Sequence, residues 1–256
     1  MPPTGAAASP PRIDDHRCRR PRLPYDSRPG EVPIMTDADA TAALRAADPT
    51  LGRLIDAVGP IDLTSWRSRW TLDPFRSLAR AIVGQQIAGA AARAIFGRLQ
   101  SFIGDRDPAA AIAAASDEDL RAIGLSANKM AAVRDLSART LDGRLALDRM
   151  SSLTDEEART QLTAVRGIGP WTADLFLLGQ LGRPDILPAG DLGIRRAVME
   201  AYGLPAMPSE REVLRIAEPW RPYRSLATAY LYASLGSVPE RRGQATAAGS
   251  RARRKP

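Results

Sequence analysis

Two features within residues 162–203 have the residue types to do chemistry. The first is a bare turn, Gly167-Ile168-Gly169-Pro170, between two stretches of helical apolar spacing. Glycine allows positive φ and close backbone approach, and proline suits the first turn of the helix that follows. Such a turn offers backbone N–H groups and a helix N-terminus, which can hold a phosphate without any basic side chain. An ordinary helix–helix corner with a glycine C-cap has the same pattern. In either case Ile168 plugs the turn against the core. The second feature is Asp191, which the Gly/Pro-rich loop "LPAGDLG" delivers to the start of another helix. There it can cap the helix, a contribution of about 1 kcal/mol. Fixed beside a reacting carbon, it can also stabilise developing positive charge and orient or deprotonate water.

The rest of the inventory excludes most other chemistries. The chain of 256 residues has one cysteine, Cys18, and one histidine, His16, both in a proline-rich N-terminal stretch. The folded part therefore has no disulfide, Cys-ligated iron–sulfur cluster or Cys/His zinc site, and no Ser-His-Asp or Cys-His machinery. Lys129 is the only lysine before Lys255. No catalytic metal or redox cofactor is expected.

The elements that must position these residues read as helices. "DPFRSLARAIVGQQIAGAAARAIFGRLQSFIG" keeps apolar residues near helical spacing, with Gln85 and Gln86 as a polar pair inside it. Ser116 and Asp119, and Thr154 and Glu157, have capping-box spacing, and Thr36 reads as an N-cap. "PWTADLFLLGQLG", "DLGIRRAVMEAYG", "SEREVLRIAEPW" and "RPYRSLATAYLYASLG" follow. About ten helices joined by short turns predict an all-α fold.

Charge separates the tails from the middle. Residues 1–35 hold eight prolines, six arginines and four acids, and residues 239–256 add five arginines and one lysine against Glu240. The whole net charge of +7 lies there, and residues 36–238 are neutral by count. Both tails are expected to be disordered, with a helical domain over 36–238. The basic tails suggest weak, salt-sensitive attraction to polyanions, or are simply solvated. No apolar run approaches the roughly 20 residues that span a membrane, and the N-terminus lacks the apolar core of a signal peptide. A cytoplasmic monomer is expected.

In this order, "LARAIVGQQIAGAAA", "IGLSANKMAAVRDLS", "LTAVRGIGPWTADLFLL", "LPAGDLGIRRA" and "EPWRPYRSLATAYLYASLG" resemble the AlkA-type 3-methyladenine DNA glycosylases. These belong to the base-excision superfamily named for a helix-hairpin-helix, a Gly/Pro-rich loop and a following Asp. The likeness covers about residues 50–237. It implies a compact, two-lobed helical fold, without the N-terminal β-rich domain of some relatives. It also implies excision of alkylated bases, chiefly 3-methyladenine, flipped out of double-stranded DNA. Deaminated or oxidised bases, or DNA binding without catalysis, are the rival readings.

The resemblance also distributes roles. Asp191 is the catalytic carboxylate. Gly167, Ile168, Gly169 and Thr172 form the DNA-binding hairpin, joined at the DNA surface by Gln85, Gln86 and Lys129. Trp171 stands where lyase-competent relatives carry a Schiff-base lysine, so the reaction should be monofunctional and leave an abasic site. Trp171 and Tyr232 line the base pocket, where aromatic faces attract cationic bases. Tyr230, two residues from Tyr232, cannot share its helix face. Leu175 replaces a pocket tyrosine of some relatives. The loop matching "IGLSANK" carries the wedge that fills the vacated stack, at Leu125 or Ser126; Leu125 could equally be an apolar contact behind a helix C-cap.

Overall fold

The computed structural model describes residues 36–63 and 72–236. The tails expected at 1–35 and 239–256 lie outside these residues. Twelve α-helices occur among the described residues, with no strand. They are α1 (Asp37–Ala47), α2 (Pro49–Val58), α3 (Pro74–Gly84), α4 (Gly89–Ile103), α5 (Pro108–Ala114) and α6 (Asp117–Ile123). After them come α7 (Ala127–Leu141), α8 (Asp155–Thr163), α9 (Pro170–Gly179), α10 (Leu192–Tyr202), α11 (Glu210–Ile216) and α12 (Arg224–Ser234).

Local chemistry starts most of them. Thr36, Ser116, Thr154 and Ser209 each close a capping box with the acid three residues on. Asp48, Asp73 and Asp107 each cap a helix whose first residue is proline. The carboxylate accepts otherwise orphaned N–H groups, and proline has none to orphan. One sequence expectation is corrected. Gln85 and Gln86 do not sit inside a helix but in the turn between α3 and α4, where Gln86 takes φ +57°. Apolar spacing on either side hides the break, because the two helices bury faces in the same core.

That core is one of two. Phe75, Ile82, Leu99, Ile112, Leu136, Leu162 and Phe176 belong to the first, built from α3 to α9. Leu44, Leu51, Ile55, Ile194, Val213, Trp220 and Leu231 belong to the second, built from α1, α2, α10, α11, α12 and the short turn at Glu218–Trp220. α9 serves both, with Phe176 and Leu177 in the first and Leu175 in the second. From Thr172 to Gly179 every residue of α9 is buried. A helix apolar on all sides must be covered on all sides.

Asp48 ties the second core together. One carboxylate oxygen accepts Thr50 N–H and Leu51 N–H at 2.9 and 3.1 Å. The other accepts Trp220 Nε1–H at 2.9 Å and the Tyr202 hydroxyl. Burial opposes its ionisation, but the bonds from Tyr202, Trp220 and the backbone outweigh this and hold the carboxyl below its usual range. Asp48→Ala is expected to cost about 3 kcal/mol in urea unfolding at neutral pH, since two buried donors lose their acceptor. A lowered folded pKa stabilises above the unfolded value of about 3.9 and is lost as pH falls through the folded value. The difference between wild type and variant should therefore shrink as pH falls below the unfolded value.

Candidate functional site

The hairpin between α8 and α9 is built as a tight plug. Ile168 is 3% exposed and its N–H donates to the Val165 carbonyl at 3.0 Å. Gly167 sits at φ +81°, with Ala132 Cβ 3.4 Å from where its own Cβ would lie. Gly169 differs. It is the N-cap of α9 at φ −90°, and a Cβ there would meet nothing within 4 Å. Nothing inside the protein requires glycine at that position. No side chain caps α9, and Gly167, Gly169 and Pro170 are exposed.

One further turn and one helix are fastened to this one. Gln85 Nε2 donates to the Gly167 carbonyl at 2.7 Å. Asp135 on α7 accepts the Arg166 N–H at 2.7 Å and Arg139 Nε at 2.9 Å. Lys129 Nζ donates to the Val83 carbonyl, in the last turn of α3, at 2.6 Å, and burial lowers its pKa. Arg98 Nε donates to the Ile123 carbonyl at 2.8 Å, ahead of Gly124 at φ +100°. The Gln85–Gly167 bond thus links the turns at 85–88 and 164–169, while Lys129 and Arg98 tie the helices on either side of the 124–126 turn to α3 and α4. Gln85 and Lys129, expected as DNA contacts, spend donors on holding backbone in place. Gln86 is exposed. Leu125 is 4% exposed within the first core, which corrects its reading as a protruding wedge. It follows the C-cap Gly124 as an apolar contact. Ser126 is exposed at the N-cap of α7.

The loop from α9 to Asp191 is stitched to the first turns of α12. Ser225 Oγ accepts Ile186 N–H at 2.9 Å and donates to the Arg183 carbonyl at 2.5 Å, while Ser225 N–H donates to the Pro184 carbonyl at 2.9 Å. Thr228 Oγ1 donates to the Ile186 carbonyl at 3.2 Å. Arg224 reaches Asp185 through Nε at 2.6 Å and Nη2 at 2.9 Å, and Arg221 Nη1 adds a bond at 2.6 Å. Ionised groups need such pairing when buried. Ser225, Thr228 and Arg224 have no distinct sequence signal beyond the "WRPYRS" stretch, whose role the residues alone did not disclose.

At the end of this loop Asp191 caps α10, with Oδ1 accepting Ile194 N–H at 2.9 Å. It is half-buried. Gly193, overlooked in the sequence, decides the space beside it. A Cβ on Gly193 would stand 2.9 Å from Asp191 Oδ1 and 3.6 Å from Tyr232 Cε1. Tyr232 is 4% exposed, and burial first, then the Asp191 charge, push its phenol pKa up. Trp171 also lies within reach of the Tyr232 hydroxyl, so the start of α9 and the start of α10 meet here. Trp171 is 45% exposed, unlike a core aromatic, and Leu175 is one turn along at 9%. Thr172 is buried beside Trp171. Tyr230 is directed elsewhere, its hydroxyl 3.4 Å from Thr41 Oγ1. Leu192, next to Asp191, is 66% exposed and was not singled out by the sequence. A second acid, Asp174, is buried, but Arg159 holds it through Nε at 3.0 Å and Nη2 at 2.9 Å. Of the two, Asp191 is the carboxylate an incoming group can reach.

The stretch of chain that builds this site matches a known family. Residues 79–222 match the model described as HhH-GPD superfamily base excision DNA repair protein. The chain belongs to that superfamily. It is 33% identical over 192 residues to DNA-3-methyladenine glycosylase 1 of Schizosaccharomyces pombe, covering 74% of this chain and 83% of the relative. Its fold is similar to S. pombe 3-methyladenine DNA glycosylase (Mag1) in complex with abasic DNA, with TM-score 0.64, 30% identity and coverage of 78% and 97%. It is also similar to a DNA-3-methyladenine glycosidase from Bacillus halodurans, with TM-score 0.67, 30% identity and coverage of 77% and 89%. The family and the helical fold are those the sequence led us to expect.

Two substitutions test the positioning. Gly193→Ala gains the helix preference of alanine but disturbs the Asp191 cap, two effects of about 1 kcal/mol each and opposite sign, so stability should change little. Base excision should nevertheless slow by about 10- to 100-fold, because the Asp191 carboxylate is displaced. Thermal melts and single-turnover rates read the two effects separately. Gln85→Glu places an acceptor against the Gly167 carbonyl, so duplex DNA affinity should fall about tenfold in a binding titration.

Proposed function

We propose that the protein is a monofunctional DNA glycosylase that removes alkylated bases, chiefly 3-methyladenine, and leaves an abasic site. The observation that carries this reading is Asp191. Its Oδ1 is fixed by the cap bond to Ile194 N–H at 2.9 Å, beside Tyr232 and Trp171. The S. pombe and B. halodurans relatives are named for 3-methyladenine, and the former was solved with abasic DNA, the product of such a reaction.

The chemistry follows from the geometry. The extruded base stacks on Trp171, with Tyr232 at its edge and Leu175 as an apolar wall, and an alkylated purine brings its own positive charge to the aromatic face. As the C1′–N bond breaks, its electron pair leaves with the base, and positive charge grows at C1′. The ionised Asp191 stabilises that charge. Water then adds to C1′ and gives a proton to Asp191. A cationic base departs neutral, so one carboxylate suffices and the paired acids of sugar glycosidases are not needed. Trp171 has no amine for a Schiff base, so the strand is left uncut.

The hairpin supplies the grip. Gly169 is free of any internal demand for glycine, and its missing side chain lets a phosphate approach the N–H groups that open α9. Backbone dipoles can do this in a domain that is neutral by count. Gln86, Ser126 and Leu192 are the exposed groups that face the duplex around it.

The test is base release from methylated duplex DNA by wild type and Asp191→Asn, with strand breaks scored before and after alkali. Wild type should release 3-methyladenine with breaks only after alkali, and the variant should lose at least 100-fold in rate (about 3 kcal/mol). Equal release by both proteins would remove Asp191 from the chemistry. Breaks without alkali would overturn the monofunctional reading, and no release by either would leave a binding protein.

A further inference from the structure

The buried tyrosines near the second core are not alike. The Tyr202 hydroxyl donates to Asp48, and the Tyr230 hydroxyl faces Thr41 Oγ1 at 3.4 Å. The Tyr232 hydroxyl is buried without a well-formed hydrogen bond. The Trp171 indole and the Asp191 carboxylate are close enough to influence it, but neither completes a hydrogen bond of ordinary geometry. A buried hydroxyl without a partner is destabilising, and phenylalanine would fill the same space without that cost. The edge of the Tyr232 ring, at Cε1, borders the space that Gly193 leaves beside Asp191. A donor left open at this position waits for an acceptor that arrives from outside.

We propose that the Tyr232 hydroxyl is a specificity-determining hydrogen-bond donor to the departing base, an inference that rests on the glycosylase reading above. The base arrives with acceptors along its edge, at ring nitrogens or an exocyclic oxygen. When the C1′–N bond breaks, the electron pair moves onto the base. A cationic base becomes neutral and needs little help. A neutral base becomes an anion, and a donor on its edge stabilises the charge as it forms. Burial and the neighbouring Asp191 charge keep the phenol protonated, so it serves as a donor and not as a base. It keeps its proton throughout. Water adds to C1′, its proton goes to Asp191, and the released base takes a proton from solvent.

The experiment uses Tyr232→Phe in the full chain, which keeps the ring and removes one oxygen. Single-turnover release is measured from duplexes carrying 7-methylguanine, a cationic lesion, or hypoxanthine, a neutral one. Wild type should release both. In the variant the hypoxanthine rate should fall at least tenfold further than the 7-methylguanine rate, while the melting temperature stays level or rises. That selectivity change is not expected from a loss of packing, which would lower both rates together. Equal losses on the two bases, or no loss on either, would overturn the proposal. So would a wild type that releases 7-methylguanine but no hypoxanthine, and the glycosylase reading would survive that result. A wild type that releases neither base would also overturn the proposal, and release of 3-methyladenine from methylated duplex DNA would then decide the glycosylase reading separately.

Discussion

Everything in this molecule is arranged around a helix that cannot face water. α9 is buried from Thr172 to Gly179 and donates side chains to both hydrophobic cores. Removing so much apolar surface from solvent is strongly favourable, but it demands partners on every side. Seven helices assemble around one core and five around the other, with α9 counted in the first. The loop that leaves its C-terminal end must then cross from one core to the other, and this crossing carries Asp191, the proposed reactive acid.

Such a crossing would be a poor place for precise chemistry if it were loose. The loop instead gives its backbone groups to Ser225 and Thr228, and its one buried acid, Asp185, to Arg224 and Arg221. Each bond satisfies a group that burial would otherwise leave orphaned. The same logic runs along the hairpin edge, where Gln85 and Lys129 serve backbone carbonyls. Rigidity at both ends of α9 therefore comes from polar side chains answering unpaired backbone, and packing alone does not supply it.

Much of this was legible in the residues. The capping boxes and Asp-Pro starts announce helices through local hydrogen bonding, which short sequence spacing records faithfully. Asp191 and the glycine turn stood out because their neighbours are so bare. Other features depend on distant partners and left no local trace. The break at Gln85 and Gln86 is masked because both flanking helices show apolar faces to one core. Lys129 looks like a solvent-facing charge until the Val83 carbonyl is placed beside it. Leu125 could have been wedge or core, and only packing separates the two. Gly193 carries meaning only through the Asp191 and Tyr232 atoms that crowd its empty side.

One consequence concerns how such proteins diverge. Asp191 is at once the proposed reactive group and the cap of α10, through a single oxygen. Asparagine offers an equivalent oxygen and caps helices about as well as aspartate. A lineage can therefore shed chemistry at this position in one step without loosening the fold around it. Stability selection is blind to that change, because the helix start it guards is unaltered. The architecture thus carries a short evolutionary path from an enzyme to a protein that finds the same sites and leaves them uncut for others to act upon.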